Sequence, residues 1–512
     1  MDKSQAADFY NYPELEAVRL LFELMTDTSR YNVALESFVA RITCRLAWGT
    51  STPSDELKQR ARELLIGVSP TGALGNKLPF LMSLPEKIFA PKAWEARRSR
   101  TEHKFFEDMQ KEVSATLQAA KQGSNVSAPA LPPSPPKQSW MRTFIENKAA
   151  WGFASDYEGA TAVGMHGIAG ALTIAAPMQS FCLALTHHPE FQPMLHEEID
   201  RVLGDRMPKF TDMPDMPVLR AFIRETLRWR PPVPSGIPHE LTQDDVYEGY
   251  HIPKGSVIHP FEWAISRDPE VFLDPEAWNP MRWLDEKYPT FQAPLSKFPT
   301  ITSYSQFGYG RRTCQGMGVT EADLFVGIGS VAWLFSIHPQ GEDATPDVKH
   351  IPAQPTNKRT EAVEKQSSHV TSHGLATPPP DELSDKRLNE KYTMQRNDSA
   401  IDVPQPRQSP ESNNNLTSGR SATFSATSPT APKSSQLSGD PATDPTLDFS
   451  TLLIAKPKPF KFDMRIRDQD RADKVARQWL NLKMEGEFED SRCFWKGGNH
   501  GDKEYGWNPV WA

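Results

Sequence analysis

The chain has 512 residues, a length that by itself suggests about three domains. Its net charge of -8 and pI near 6.0 argue against nucleic acid as the main partner. Four cysteines (Cys44, Cys182, Cys314 and Cys493) make no disulfide framework and fit a reducing compartment. A hydrophobic fraction of only 38% with 46 prolines predicts that part of the chain is unfolded; the 10% aromatic residues still suffice for a large core. No secretory signal or apolar run opens the sequence. The stretch nearest membrane-span length, Ile168 to Leu185, is interrupted by Thr173, Pro177, Gln179 and Ser180 and reads as a buried core helix. No transmembrane segment is therefore expected in this chain.

Residues 1–121 read as helices. Apolar residues recur at helical spacing from Glu14 to Met25 and from Tyr31 to Trp48. Thr50 to Asp55 supplies a loop and a helix start, and Lys104 to Lys121 is an amphipathic helix with a charged, solvated face. A Pro-rich linker follows at 122–140. Ser155 to Leu203 is a long helical region. At its centre, Ala169-Gly170-Ala171-Leu172-Thr173 admits a close neighbour, and the threonine can bond back to a carbonyl and loosen the helix. Tight helix packing alone would also explain the small residues. Glu225 and Arg228 face each other at i, i+3, which on a solvated helix is worth only about 0.2–0.5 kcal/mol. Asp245 to Gly255 alternates, turns at Gly249 and ends on Pro253-Lys254-Gly255, as a short hairpin does. Val319 to Ile337 is a strongly apolar helix.

The chemistry concentrates in Phe307-Gly308-Tyr309-Gly310-Arg311-Arg312-Thr313-Cys314-Gln315-Gly316. Its three glycines let the backbone turn tightly and lie close to something flat. Arg312 brings a fixed positive charge two residues before the sulfur. A thiolate serves as nucleophile, zinc ligand or iron ligand according to its surroundings. No second Cys or His stands at zinc-ligand spacing. A nucleophile wants a helix N-terminus and a nearby base, and neither is evident in the sequence. The bland alternative is an inert buried cysteine. Gly308-Tyr309-Gly310 lacks the strand–turn–helix context of a dinucleotide fingerprint.

The pattern F-x-x-G-x-R-x-C-x-G resembles the haem-binding loop of the cytochrome P-450 family, position by position. The resemblance implies haem b with Cys314 as axial thiolate and metal ligand. It implies that Arg312 pairs with a propionate, that His239 hydrogen-bonds one, and that Phe307, Gly310 and Gly316 shape the loop. Ala169 to Thr173 is similar to the oxygen-binding helix, with Thr173 the catalytic residue that orders a proton-donating water. The family's usual acid before that threonine is here Leu172. Glu225, Arg228 and Arg282 (in Trp278-Asn279-Pro280-Met281-Arg282-Trp283) match the structural triad that locks the loop. Met165, His166, Ala169, Val233, Ser235, Ile237 and Thr451 would line the pocket.

By resemblance the fold is mainly α with small β-sheets (α+β), without the family's N-terminal portion. The haem-binding core is 141–338. Residues 339–445 are expected to be a disordered insert; 401–440 alone hold nine Ser, five Pro and one aromatic. Residues 446–467 resemble the family's last hairpin, beginning with a strand at Asp448 to Ala455. Residues 468–512 would hold a charged helix (Arg467 to Lys483, overlapping the hairpin's end) and a Trp-rich end. The family's membrane anchor, first sheet and W-x-x-x-R helix have no counterpart, so the sequence reads as truncated at its start and lengthened by an insert.

The function implied is insertion of one oxygen atom from O2 into an apolar small molecule, of the kind made in fungal secondary metabolism. Electrons would come from an NADPH-cytochrome P-450 reductase. The cytoplasmic side of the endoplasmic reticulum is the family's usual place, and without an anchor a cytoplasmic protein. Leu172 favours an alternative, a haem-thiolate isomerase or dehydratase that does not use O2. A non-catalytic remnant is the third reading.

Overall fold

The computed structural model describes residues 11–69, 75, 78–121, 138–302, 304–340, 449–450 and 453–488. Most of the expected linker, nearly all of the expected insert, Thr451 and the Trp-rich end lie outside these residues. The two periodic stretches at the start form α1 (Asn11–Thr26) and α2 (Tyr31–Trp48). The Asp27 side chain caps the turn between them, and Gly49 (φ 82°) ends α2. α3 (Ser54–Val68) follows. The charged segment from Lys104 is the second half of α4 (Ala90–Lys121), a helix of 32 residues. α5 (Trp140–Trp151) and α6 (Asp156–Thr173) start on Ser139 and Ser155, whose side chains accept from Arg142 and Glu158 amides.

The region expected to be helical from Ser155 to Leu203 comprises α6, α7 (Ala175–His187) and α8 (Gln192–Leu203). The first break follows Thr173, whose Oγ1 donates to the Ala169 carbonyl at 2.8 Å. The second falls at Pro189, which cannot continue the ladder of hydrogen bonds. α9 (Pro217–Trp229), the single turn α10 (Glu262–Ile265), α11 (Met317–Leu334) and α12 (Gln469–Met484) complete the described helices.

α6 lies against α2, α3 and α4, while α1 joins α2, α11 and α12. The small residues of α6 serve this packing: a methyl group at Gly164 would collide with the Phe106 ring, and one at Gly170 would come within 3.1 Å of Thr43. One apolar core draws on α1, α2, α7, α8, α9 and α11; a second fills the space among α2 to α6. α11 is buried on every side from Ala322 to Leu334, which is why it is apolar without a preferred face. Asp156–His187 and Met317–Leu334 are long and apolar enough to cross a membrane, and 83% and 78% of their apolar windows are buried inside the fold.

Among the described residues the sheets are three antiparallel pairs. β1 (His239–Glu240) pairs with β4 (Val257–Ile258), and β2 (Asp245–Tyr247) with β3 (Tyr250–Ile252). Glu248 (φ 49°) and Gly249 (φ 83°) close the β2–β3 hairpin, a two-residue turn that needs positive φ twice. β5 (Phe335–Pro339) pairs with β6 (Phe462–Ile466), Phe335 opposite Ile466.

Two expectations are corrected here. The apolar helix expected to reach Ile337 stops at Leu334, because Phe335 onward is claimed by a strand more than a hundred residues later. Of the strand expected at Asp448 to Ala455, Asp448, Thr451 and Leu452 lie outside the described residues; the others show one bridge, Phe449 opposite Pro457, and the regular strand is β6. The charged helix starts at Gln469, capped by Asp468. It is fastened to α1 by a parallel stack of Trp479 on Phe22 (3.9 Å) and to α8 through Arg471 and Asp200 (2.9 Å).

Candidate functional site

Glu225 on α9 is fully buried, as are Arg228 (0% exposed) and Arg282 (1%). Glu225 Oε1 accepts from Arg228 Nη2 at 2.8 Å, Arg282 Nε at 3.1 Å and the Asn279 amide at 2.8 Å. Its Oε2 accepts from Arg228 Nε at 2.9 Å and Trp283 Nε1 at 3.0 Å. The remaining guanidinium donors reach the carbonyls of Ser266, Pro275 and Ala277 from Arg228, and of Leu273, Asp274 and Ala277 from Arg282. Burial by itself would push the Arg228 guanidinium down; the Glu225 carboxylate outweighs it and holds the group above its usual range. The triad therefore stitches α9 to the 266–283 segment. The chain leading into the Cys314 loop is tied to the same body. Gln306 donates to the Leu227 carbonyl, and the Arg224 guanidinium lies 4.2 Å from the Tyr304 ring centre and 4.7 Å from that of Trp283.

The loop turns at Gly308 (φ 79°) and Gly310 (φ 59°), both left-handed. The Cys314 amide donates to the Phe307 carbonyl at 2.7 Å and closes it, while Phe307 packs on the main core. α11 begins at Met317 with Gly316 as its cap, so the helix N-terminus that sequence reading missed stands beside Cys314. Glycines at 316 and 318 disguise that boundary, and only the burial of the later turns defines the helix. Cys314 itself is exposed. Desolvation by the loop nevertheless pushes its thiol up, against the Gly316 amide, which favours the thiolate. Arg311 and Arg312 are exposed and have no carboxylate partner among the described residues.

Across from the loop, α6 presents Met165, His166 and Ala169 to solvent, with Thr173 partly covered one turn on. His166 Nε2 lies 3.1 Å from Gln315 Oε1, which joins this stripe to the residue after Cys314. Leu172 points the other way: it is 7% exposed and belongs to the core formed by α2 to α6. Val233 and Ser235 are half-buried and Ile237 is exposed on the segment after α9. His239 is exposed on β1 and is not joined by a hydrogen bond to the Cys314 loop.

Sequence reading missed Gln315 and Glu262, neither of which carries a local signal. Glu262 is 3% exposed. Its Oε1 accepts from Ser305 Oγ at 2.8 Å, and its Oε2 is buried without a partner. Burial pushes the carboxyl up to about 8, the Ser305 bond opposing. The native state therefore holds a proton that the unfolded chain releases near its ordinary value. Stability should fall as pH rises from about 4.5 to about 8, by up to about 1.4 kcal/mol per unit crossed. Glu262→Gln is expected to flatten that slope in urea unfolding midpoints measured from pH 5 to 8; an unchanged slope would assign it elsewhere.

The site's residues can be matched to a prosthetic group. Among the described residues no three His, Cys, Asp or Glu converge as a metal site. A lone exposed thiol suits a metal that brings its other ligands with it, as iron does in a macrocycle. Arg311 and Arg312, exposed and without a carboxylate partner among the described residues, suit that macrocycle's acidic substituents. The loop and the first turn of α11 leave open space, with no atom of the described residues within 4 Å of a methyl group placed at Gly310 or Gly318. Fold and site thus fit a haem-thiolate type of protein.

The family model described as Cytochrome P450 matches residues 61–360, more than half of the sequence. The chain belongs to the cytochrome P450 family. It is 30% identical over 354 residues to cytochrome P450 monooxygenase virE of Hypocrea virens, covering 66% of this chain and 61% of that one. It is 41% identical over 187 residues to cytochrome P450 monooxygenase drtD of Aspergillus calidoustus, covering 36% and 33%. Cytochrome P450 monooxygenase 253 of Postia placenta is 31% identical over 346 residues, covering 65% and 62%. A zebra fish cytochrome P450 solved with abiraterone matches with a TM-score of 0.49 and 21% identity, over 67% of this chain and 74% of that one. The chain thus spans about three-fifths of the length of virE and of the Postia protein.

Proposed function

We propose that this chain carries the haem-thiolate core of a monooxygenase that acts on an apolar small molecule. The observation that carries the reading is the open thiol of Cys314, the one exposed cysteine among the described residues, set before the head of a buried helix and next in sequence to Gln315, which touches the Met165–Thr173 stripe through His166. When bound, haem b supplies activation of dioxygen, favoured by an electron-rich thiolate. Cys314 provides that thiolate, and Arg312, with His239, holds the propionates. Phe307, Gly310 and Gly316 keep the loop in shape. Glu225, Arg228 and Arg282 keep the loop's foundation rigid. Thr173 offers a hydroxyl where a water can be ordered and a proton passed. Met165, Ala169, Val233 and Ile237, with the hydroxyl of Ser235 among them, would line the substrate's place, the substrate being of the kind handled in fungal secondary metabolism. Electrons come from an NADPH-dependent cytochrome P-450 reductase, at the cytoplasmic face of the endoplasmic reticulum.

The test is the carbon monoxide difference spectrum of the reduced, purified protein. A red-shifted Soret band is expected; a short-wavelength band, or no retained haem, would overturn the reading. A second reading, isomerisation or dehydration without O2, draws support from Leu172, an apolar core residue at the position before Thr173 where the family's usual acid would stand. Turnover that needs neither NADPH nor reductase would establish it instead.

A further inference from the structure

We propose that His166 and Gln315 form a latch across the cleft between α6 and the Cys314 loop, with both acting as positioning residues for the sulfur. The inference deepens the reading above only in its haem readout; the latch itself is a property of the polypeptide. His166 is exposed on α6 and held by two neighbours of its own: Nδ1 lies 2.7 Å from the Ala162 carbonyl, and the ring meets the Trp140 ring edge-on at 6.1 Å. That anchoring aims Nε2 at Gln315, 3.1 Å away and 149 residues later in sequence.

The pair tolerates either charge state of the imidazole. With Nδ1 donating to Ala162, a neutral ring offers Nε2 as an acceptor and takes the Gln315 amide NH2. A protonated ring donates to the amide oxygen. A half-turn of the Gln315 amide serves both. The bond therefore acts as a mechanical tie.

What it holds is the backbone around the sulfur. Gln315 directly follows Cys314. The Gly316 amide lies close enough to favour the thiolate, and a methyl group on Gly316 would lie 3.7 Å from Sγ. Gln315 is itself exposed and stands just before Gly316, the cap of α11, where its side chain has no core to pack against. Fixing it from α6 restrains the peptide that joins Gln315 to Cys314, and with it the freedom of Sγ. It also holds the α6 stripe at a set distance from the loop.

The experiment uses the full chain without added haem. Cys314 is alkylated with iodoacetamide and followed by peptide mass spectrometry, beside hydrogen exchange of the 307–316 segment. His166→Ala and Gln315→Leu should each speed alkylation and exchange about fivefold, the range of one lost hydrogen bond. The double variant should go no further than either single one. The exchanged pair, His166→Gln with Gln315→His, should restore the slow rates. Wild-type rates in both single variants, additive effects in the double, or no recovery in the exchanged pair would overturn the latch. In the haem-loaded protein, the red-shifted share of the carbon monoxide complex should fall in each single variant and return in the exchanged pair. A wild-type chain that shows no red-shifted band at all refutes the haem-thiolate reading, while the alkylation rates still decide the latch.

Discussion

Glu225→Ala should leave the chain largely unfolded at 25 °C. The substitution strands two guanidiniums that are 0% and 1% exposed, and removes the acceptor of two further donors, the Asn279 amide and Trp283 Nε1. Removing one partner of a buried ion pair costs about 3–5 kcal/mol, and here one carboxylate serves two cations. A domain stable by about 5–15 kcal/mol has little margin for such a loss. The damage would spread from α9 to the 266–283 segment and to the Cys314 loop, whose approach is tied to α9 by Gln306 and Leu227. Soluble yield and the urea midpoint are the measurements. A midpoint within error of the parent would mean that the triad is not what holds this part of the fold. Arg282→Ala should also destabilise, but less. It leaves Glu225 paired to Arg228 and takes away a cation whose other partners are carbonyls.

Cys314→Ser is expected to do the reverse: little to stability and nearly everything to chemistry. The side chain is exposed, so the stability measured by urea unfolding should change by no more than about 0.5 kcal/mol. A serine hydroxyl does not ionise as a thiol does and cannot supply an electron-rich anionic ligand. The red-shifted carbon monoxide band should vanish, and reductase-supported oxidation should fall at least about 100-fold, equivalent to about 2.7 kcal/mol of transition-state stabilisation. A serine variant that kept the red-shifted band would remove Cys314 from the ligand position. Together the two substitutions separate the foundation of the site from its reactive atom.

The long helices were legible because each is an apolar stripe at 3.6-residue spacing with an ordinary start signal. Tyr31–Trp48 is found where its periodicity puts it, and Ser155 caps α6 as a serine before an acidic first turn should. The Cys314 loop was legible because its chemistry lies within ten consecutive residues. What could not be read were features whose partners are distant. β5 looks like the last turn of α11 until β6 arrives to pair with it. Glu262 is an ordinary acidic residue until burial beneath Ser305 raises its carboxyl. Gln315 is an ordinary polar residue until α6 brings His166 to it.

The sequence by itself determined the helical class, the Gly-Arg-Cys loop and the identity of the three residues at 225, 228 and 282, because each of these is written in short-range spacing. Tertiary structure decided what those residues are worth. A Glu–Arg pair worth a few tenths of a kcal/mol in water becomes a lock once both charges are taken out of solvent with all their donors paired. It also decided direction. It turned Leu172 into the core and Met165, His166, Ala169 and Thr173 toward the cleft, because helix packing, set by glycines that admit Phe106 and Thr43, leaves only one face of α6 free.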